Sequence, residues 1–489
     1  MESTLHLALV DGERVGAVSG AVLDVVNPAT NQVIGQLPRC DERDVEVAVA
    51  AAKRAAPGWR AAEPQMRAAA LLAFADKVAE RGEELARLDS LDNGSPLHEM
   101  RNDIGLATSQ VRYLAGLALE VRGRTMPETP GHLHYTMRQP FGVVARIIAF
   151  NHPLMFAATK LAAPLIAGNC VILKPSEFTS LSALAMAQDL ARLFPPGVVQ
   201  VLTGLGAEMG DALVRHPGIP RIAFIGSAAT GRRIQAAATT GGVKTVTLEL
   251  GGKNPIVVFP DADLELAVEG AIRGMNFTWQ GQSCGSTSRL LIHRDCYDDV
   301  VRKVGERLAR MRPGSPLDPA SDTGAIVTPQ QLDKVLSYIE IGKSEQARLV
   351  TGGERLTAGD LAHGNFVTPA LFADVDPAGR LATEEIFGPV LAAIPFGRYD
   401  EAVAIANRVE YGLTASVFTR DLRTALAFSR DVGRLRVGER DVQALPRGAV
   451  RRRQEQRRRP GGGPRGDRVL HPAQERQHPL LRHLTDPGR

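Results

Sequence analysis

The sequence predicts an α/β protein with two parallel sheets, and three observations carry this prediction. Short β-branched runs alternate with helix-sized segments from residue 143 onward, a pattern typical of parallel sheets with helices on both faces. The pattern recurs after residue 254, which indicates a second sheet. The 489 residues leave room for about three ordinary domains or two large ones.

Helices are predicted before the first sheet. Residues 41–57, 64–90 and 99–121 are rich in Ala, Leu and charged residues at helical spacing. Apolar residues make up 44% of the chain and charged residues 23%, which is ordinary for a soluble globular protein. A chain of this size can bury a large core without metals or disulfides.

Five β-branched runs predict the first sheet, and each is followed by a turn or a helix. Helices are expected to begin near Pro153 and Thr179. A doubly wound sheet of this type binds a nucleotide beyond the carboxyl ends of its strands. The five runs are VVARII (143–148), CVILK (170–174), VVQVL (198–202), IAFI (222–225) and VTLEL (246–250).

A second α/β region of the same type is predicted from Asn254 to about Gly438. Its expected strands are IVVF (256–259), RLLIH (289–293) and ASVF (415–418). Its expected helices lie near 263–275, 295–312 and 329–347.

Several classes of protein are excluded by the cysteines and the apolar segments. Cys40, Cys170, Cys284 and Cys296 are scattered without a C-x-x-C pair, which argues against a disulfide framework and a structural zinc site. No metal is therefore expected. The N-terminus lacks a signal-peptide pattern, and the most apolar region, 143–173, is interrupted by charged residues. These features predict a cytoplasmic protein with no membrane partner.

Two glycine-rich turns follow predicted strands and could hold a phosphate. GLGAEMG (204–210) has one residue too many before its last glycine for a dinucleotide fingerprint, so a tight strand-to-helix turn is the simpler interpretation. In IGSAATG (225–231), Ser227 and the following helix N-terminus could bind a phosphate through free backbone N–H groups.

Four polar side chains stand at strand ends or among small residues. Lys174 and Glu177 could contact ribose hydroxyls, or they could lie in a solvated loop. Cys284 lies in GQSCGSTSR, where a ligand could reach its sulfur, although a lone cysteine is more often buried and inert. Glu249 precedes two glycines and could act as a general base, or it could cap a helix or pair with a cation.

Six motifs occur in one order and at one set of spacings. They are AFNHP around Asn151, KPSE at 174–177, Gly226-Ser227, LELGGKNP around Glu249, GQSCGS around Cys284 and EIFGP at 385–389. This constellation resembles the aldehyde dehydrogenase superfamily, and the LELGGKNP and GQSCGS pair is highly specific for it. The resemblance covers residues 20 to about 438.

The resemblance implies NAD-dependent, non-acylating oxidation of a small aldehyde to a carboxylic acid. Cys284 would attack the carbonyl to form a thiohemiacetal, which is oxidised to a thioester. The Asn151 side-chain amide and the Cys284 backbone N–H would stabilise the oxyanion, and Glu249 would activate the hydrolytic water. A CoA-acylating relative is the alternative, but a water-activating Glu249 favours hydrolysis over transfer to a thiol.

The resemblance also implies where NAD would bind. Lys174 and Glu177 match contacts to the adenine ribose, and Ser227 matches a contact to the pyrophosphate. Glu385 matches the carboxylate that holds the nicotinamide ribose, with Phe387 packed nearby. A carboxylate at Glu177 suits the free hydroxyls of NAD and would repel the 2′-phosphate of NADP. The remaining expected contacts are Ile147, Phe150, Gly226 and Leu250.

The expected domains follow from the same resemblance. Residues 1–121 and 141–252 would form a Rossmann-like NAD-binding domain, and residues 253–438 a catalytic domain. Residues 122–140 would form a small β-ribbon through which a homodimer or homotetramer assembles. No nucleic-acid partner is expected.

The tail departs from the family after about residue 438. Residues 439–489 hold thirteen Arg and six acidic residues, and the family's P-F-G-G-x-K-x-S-G loop is missing. Taken one base later, the coding triplets of residues 449–458 permit P-F-G-G-V-K-N-S-G, and those of 469–479 permit S-Y-T-Q-L-K-N-V-N-I. The tail is therefore interpreted as the family's C-terminus in a shifted reading frame, and its composition predicts disorder. The alternative function is a catalytically impaired or dead remnant whose assembly is doubtful.

The tail prediction is tested by expressing the 489-residue chain beside a version whose frame is restored after residue 438. We expect the unaltered chain to be poorly soluble or weakly assembled and low in aldehyde oxidation, because the ribbon would lack the family's final strand. Light scattering and NADH formation measure these two properties. A soluble, fully active oligomer from the unaltered chain would contradict the prediction.

Overall fold

The structure is a computed structural model that describes residues 4–127 and 130–433. The predictions of disorder and of a frame shift for residues 439–489 lie outside these ranges and stay predictions.

Two hairpins open the chain, and the sequence analysis missed both. Their strands are β1 (Ala8–Val10), β2 (Glu13–Val15), β3 (Val22–Asn27) and β4 (Gln32–Pro38). Asp11 and Gly12 connect β1 to β2 with φ of 53° and 83°. An Asp-Gly pair with both φ values positive is the favoured two-residue hairpin turn, so this signal was present in the sequence.

Four helices follow, close to the predicted positions. They are α1 (Glu42–Ala61), α2 (Pro64–Glu80), α3 (Gly82–Asn93) and α4 (Leu97–Gly116). Asp41 begins α1 with a capping box that also uses Asp44. The predicted end at Pro57 was wrong, since α1 continues through this proline to Ala61. The single segment predicted at 64–90 is two helices that divide at Arg81.

A short antiparallel ribbon comes next, within the segment predicted for assembly. It consists of β5 (Arg124–Thr125) and β6 (Tyr135–Thr136). Its apolar side chains are largely exposed: Leu133 is 70% exposed, Tyr135 57% and Met137 64%.

The first large sheet has five parallel strands, which are those predicted. They are β7 (Val143–Ile147), β8 (Cys170–Lys174), β9 (Val199–Val201), β10 (Arg221–Ile225) and β11 (Thr245–Glu249). The strand order is β11-β10-β7-β8-β9-β1-β2, with β1 and β2 antiparallel at one edge. The chain order therefore reverses between β7 and β10, which is the switch point where doubly wound sheets bind nucleotides.

Helices cover this sheet and connect its strands. They are α5 (Pro153–Ile166), α6 (Leu181–Ala185), α7 (Ala187–Leu193), α8 (Asp211–Arg215) and α9 (Ala228–Ala238). One continuous apolar core packs the sheet against α1–α5 and the shorter helices.

The second sheet has six strands, in the order β14-β15-β16-β13-β12-β17. They are β12 (Pro255–Val258), β13 (Arg289–His293), β14 (Arg348–Thr351), β15 (Ala370–Ala373), β16 (Val390–Phe396) and β17 (Ser416–Phe418). All neighbours are parallel except β14 and β15. Its helices are α10 (Leu264–Gly274), α11 (Tyr297–Leu308), α12 (Pro329–Ser344), α13 (Arg380–Thr383), α14 (Tyr399–Ala406) and α15 (Leu422–Asp431).

Alternate residues of the second sheet enter separate apolar cores on its two faces, as in a sheet covered on both sides. The predicted α/β class with two parallel-sheet regions is thus confirmed. The sequence analysis missed three of the six strands, β14 to β16. The exact domain boundaries stay a prediction. Every helix in the described ranges is too short or too polar to span a bilayer.

Candidate active site

A cavity of about 640 Å³ lies at the carboxyl ends of β7 to β11 and extends to the second sheet's loops. This location follows from the strand order, because the helices after β7 and β10 leave the sheet on opposite faces. All the residues predicted for the site line this one cavity. They are Ile147, Phe150, Asn151, Lys174, Glu177, Gly226, Ser227, Glu249, Leu250, Cys284, Glu385 and Phe387.

The loop that carries Cys284 is fixed by a side chain that the sequence analysis did not single out. Asn254 Nδ2 donates to the Cys284 carbonyl at 2.8 Å and to the Ser286 carbonyl at 2.9 Å. Asn254 Oδ1 accepts from the Thr414 N–H at 3.0 Å. The buried amide thus uses both its donor and its acceptor to shape the loop. Asn254 lies within the LELGGKNP motif, but the sequence did not indicate what its side chain does.

The Cys284 thiol is held in its neutral form. Burial and the negative charges of Glu385 and Glu249 raise the pKa of the Cys284 thiol to about 11. The nucleophilic species is the thiolate, so the site must lower this pKa or remove the proton when it reacts.

Asn151 supplies an amide donor that no group of the protein satisfies. It follows β7 directly, and its side chain is 2% exposed. Its Nδ2 is buried and has no hydrogen-bond partner within the described residues. Such unsatisfied donors are rare because each costs about 1–3 kcal/mol, and they often mark a place where a ligand accepts the bond.

Glu249 and Glu385 approach the thiol from different sheets. Glu249 is the last residue of β11, and Glu385 lies before β16. Glu385 Oε1 accepts from the Gly252 N–H at 2.8 Å, and a Cβ on Gly251 would lie 2.0 Å from Glu385 Oε2. Burial raises the pKa of Glu385, while the Gly252 N–H and the charge of Lys334 oppose that rise.

The other end of the cavity holds a lysine and a carboxylate. Lys174 Nζ lies 3.3 Å from Glu177 Oε2 and donates to the Pro175 carbonyl at 3.2 Å. Burial lowers the pKa of Lys174, and the negative charge of Glu177 opposes this. The turn of GLGAEMG forms the wall beside this pair, and Gly206 and Gly210 line the cavity.

Between the two ends, the cavity passes the N-terminus of α9, an 11-residue helix. Ser227 caps this helix, since its hydroxyl accepts from the Thr230 N–H at 3.2 Å. The remaining N–H groups of the first turn have no partner inside the helix and favour an anion.

The far wall combines two predicted aromatic residues with a helix face that the sequence did not reveal. The predicted residues Phe150 and Phe387 meet edge to face with ring centroids 5.6 Å apart. Phe387 has a φ of 59°, and Gln331 Nε2 stabilises this turn by donating to the Phe387 carbonyl at 2.9 Å. Gln331 and Lys334, on one face of α12, both line the cavity. No motif in the sequence pointed to this helix face.

No metal site was found in the described part of the chain, which holds no cluster of three or more His, Cys, Asp or Glu side chains suited to an ion.

A doubly wound sheet whose switch-point cavity ends at a thiol is typical of dinucleotide-dependent enzymes that work through a cysteine. The profile of the aldehyde dehydrogenase family matches residues 16–448. The chain belongs to the aldehyde dehydrogenase family, and the predicted membership is confirmed. It is an oxidoreductase that acts on aldehydes.

Three relatives show the extent of the similarity. Aldehyde dehydrogenase tropH of Talaromyces stipitatus is 41% identical over 434 residues, which are 87% of this chain and 84% of the relative. An aldehyde dehydrogenase of Bacillus cereus, solved as its NAD⁺ complex, has a TM-score of 0.85 at 37% identity and covers 88% and 87% of the two chains. Indole-3-acetaldehyde dehydrogenase AldA of P. syringae, solved with NAD⁺ and IAA, has a TM-score of 0.85 at 36% identity and covers 87% of each.

The electrostatic effect of Glu385 on the thiol can be measured directly. We expect Glu385→Gln to lower the pKa of Cys284, because it removes one of the two charges that raise it and still accepts from Gly252. Because iodoacetamide reacts with the thiolate, a lower thiol pKa gives a larger reactive fraction at pH 8. Alkylation of Cys284 should then be about 3–10 times faster in the variant than in the unaltered chain. Peptide mass spectrometry measures the rate.

Glu384→Gln is the matched control, since Glu384 is paired with Arg380 at 3.0 Å and does not line the cavity. It should leave the alkylation rate unchanged. An unchanged or slower alkylation of Cys284 in Glu385→Gln would contradict the claim that the Glu385 charge raises the thiol pKa.

Proposed function

We propose that the chain oxidises an aldehyde to a carboxylic acid with NAD, through a thiohemiacetal and a thioester on Cys284. The observation that carries this proposal is the buried Asn151 amide, which has no hydrogen-bond partner among the described residues and lines the same cavity as the thiol. A buried donor with no protein partner beside a nucleophile is suited to an oxygen that becomes negatively charged during the reaction.

In the first step, the Cys284 thiolate attacks the aldehyde carbonyl carbon. Because the thiol pKa is about 11, its proton must first pass to solvent in the cavity. A C–S bond forms and the carbonyl π electrons move to oxygen. Asn151 Nδ2 and the Cys284 N–H donate to this oxyanion.

The residues that line the cavity suit the successive parts of NAD. Lys174 and Glu177 would hold the adenine ribose, the N-terminus of α9 the pyrophosphate, and Glu385 the nicotinamide ribose. The chemistry that NAD supplies when bound is acceptance of a hydride from the substrate carbon, which leaves a thioester on Cys284. The Glu177 carboxylate would repel a 2′-phosphate, which favours NAD over NADP. The NAD⁺ complexes of similar enzymes support the same cofactor.

In the last step, Glu249 takes a proton from water and the resulting hydroxide attacks the thioester carbonyl. The C–S bond breaks, the carboxylic acid leaves, and Cys284 departs as thiolate. Asn151 again stabilises the intermediate oxyanion. A CoA-acylating enzyme would need a thiol in place of this water, and the carboxylate at the cavity wall favours water.

The predicted assembly extends this proposal. The ribbon of β5 and β6 exposes Leu133, Tyr135 and Met137, and an exposed apolar strand edge favours association with another chain. A homodimer or homotetramer formed through residues 122–140 is the assembly that the exposed apolar side chains favour.

The role of Cys284 is tested by Cys284→Ala, made, like every other variant whose activity is measured, in the chain whose reading frame is restored after residue 438. We expect aldehyde-dependent NADH formation to disappear, because the variant lacks the sulfur that attacks the carbonyl, while NAD binding changes little. Cys296→Ala, which alters a buried cysteine outside the cavity, is the control and should retain activity. Calorimetry measures NAD binding. Substantial NADH formation by Cys284→Ala would remove this residue from the role.

The role of Glu249 is tested by Glu249→Gln in pre-steady-state kinetics. We expect a burst of NADH followed by turnover slowed about 10²–10⁴-fold, because acylation needs no hydrolytic base but thioester hydrolysis does. Glu269→Gln, on the exposed face of α10, should leave turnover unchanged. Unchanged turnover in Glu249→Gln would assign the base elsewhere. Formation of an acyl-CoA product when CoA is added would favour the acylating alternative.

A further inference from the structure

The two donors of the oxyanion site come from loops that belong to different sheets. Asn151 follows β7 of the first sheet, and Cys284 precedes β13 of the second. We propose that a chain of buried polar side chains, Asn93, Ser95, Gln280 and Gln282, holds these two loops in register and so positions the oxyanion donors. This inference rests on the proposed function, because only a shared oxyanion requires the two loops to keep one separation.

The first part of this chain fixes the loop that carries Asn151. Asn93 Nδ2 donates to the Phe150 carbonyl at 2.7 Å, and Asp89 Oδ2 accepts from the Leu154 N–H at 3.1 Å. Asp89 and Asn93 are four residues apart on α3 and therefore lie on the same helix face. Asn151 sits between the two anchored backbone groups, so α3 restrains the loop on both sides of it.

Ser95 makes the connection to the second sheet. Asn93 Oδ1 accepts from the Ser95 N–H at 3.1 Å and also lies close to the Ser95 hydroxyl. The same hydroxyl lies 3.2 Å from Gln280 Oε1. A hydroxyl has one proton, so it donates to one of these two acceptors at a time.

A backbone hydrogen bond next to Ser95 also links α3 to the second sheet's loops. The Gly94 carbonyl accepts from the Ala325 N–H at 3.0 Å, and Gly94 has a φ of 86°. A Cβ on Gly94 would lie 2.5 Å from the Ala325 carbonyl oxygen, so glycine is required for this close approach.

The last part of the chain fixes the loop that carries Cys284. Gln282 Nε2 donates to Gln280 Oε1 at 3.0 Å, and Gln282 Oε1 accepts from the Val327 N–H at 3.2 Å. Gln280 Nε2 donates to the Thr278 carbonyl at 3.0 Å, which holds Gln280 in a left-handed conformation with a φ of 53°. Gln282 lies two residues before the nucleophile.

The four side chains are each 1% exposed, so water cannot replace a bond that is lost between them. In such a buried network, removal of one member leaves its partners unsatisfied and loosens the groups they hold. We therefore expect a substitution at Asn93 or Ser95 to loosen the Cys284 loop as well, although the two regions are far apart in sequence.

Ser95→Ala tests the connection with the smallest change, because it deletes only the hydroxyl that bridges the two parts. Hydrogen–deuterium exchange of the full 489-residue chain gives a readout that does not depend on activity. We expect exchange of the backbone amides of residues 276–284 to become several-fold faster, with the described chain outside this loop and the Asn151 loop unchanged. Ser95→Thr restores a hydroxyl and should restore protection.

Ser90→Ala is the matched control, since Ser90 is an equally buried serine on α3 whose hydroxyl has no partner in the described part of the chain. It should leave exchange at 276–284 unchanged. Unchanged exchange at 276–284 in Ser95→Ala would overturn the inference, as would a uniform increase over the whole chain, which indicates general destabilisation.

A double-mutant cycle adds a catalytic readout. Ser95→Ala should lower kcat severalfold without changing KM for NAD, and it should lower kcat by a smaller factor when Asn151→Ala is already present, because one of the two donors it positions is then gone. Additive effects would overturn the inference. Activity retained by Cys284→Ala would contradict the proposed function instead, and the exchange result would still decide whether the two loops are coupled.

Discussion

The connection between the two sheets is the constraint on which the site depends. Only a few residues separate Glu249, the end of β11, from Asn254, just before β12. Within them, a Cβ on Gly252 would lie 2.6 Å from the Cys284 carbonyl oxygen, and one on Gly251 would overlap Glu385. Two glycines thus let the connection pass between the nucleophile loop and the second carboxylate, which brings residues of both sheets into one cavity.

The short distance between the two sheets at this connection also raises the pKa of the Cys284 thiol, because it brings Glu249 and Glu385 near the sulfur. Two carboxylates and burial favour the protonated form of Cys284, so the site resists ionisation of the thiol until a reaction partner is present. The Asn151 amide has no hydrogen-bond partner in residues 4–127 and 130–433, and this lowers the stability of the folded protein. Both features are unfavourable for the folded protein by itself and are explained by a reaction in which a proton leaves and an oxyanion forms.

The sequence contained enough information for the α/β class, the five parallel strands of the first sheet and the predicted site residues, all of which line the cavity, because motifs at strand ends converge when parallel strands align. It did not reveal β16, whose run VLAAIPF mixes alanines and a proline with few β-branched residues. Nor did it reveal Gln331, Lys334 or Asn254, since an amide that holds backbone carbonyls has no local pattern. Long-range packing alone brings α12 to the cavity, and the spacing of residues along the chain does not predict this packing.

The central claim is that the substrate becomes covalently bound to Cys284. Rapid quenching of Glu249→Gln with aldehyde and NAD⁺, followed by peptide mass spectrometry, tests this most directly. We expect an acyl adduct on the peptide that contains Cys284. The adduct has the mass of the aldehyde less one hydrogen and replaces the thiol proton. An adduct on another residue, or NADH formed in stoichiometric amount with no adduct, would contradict it.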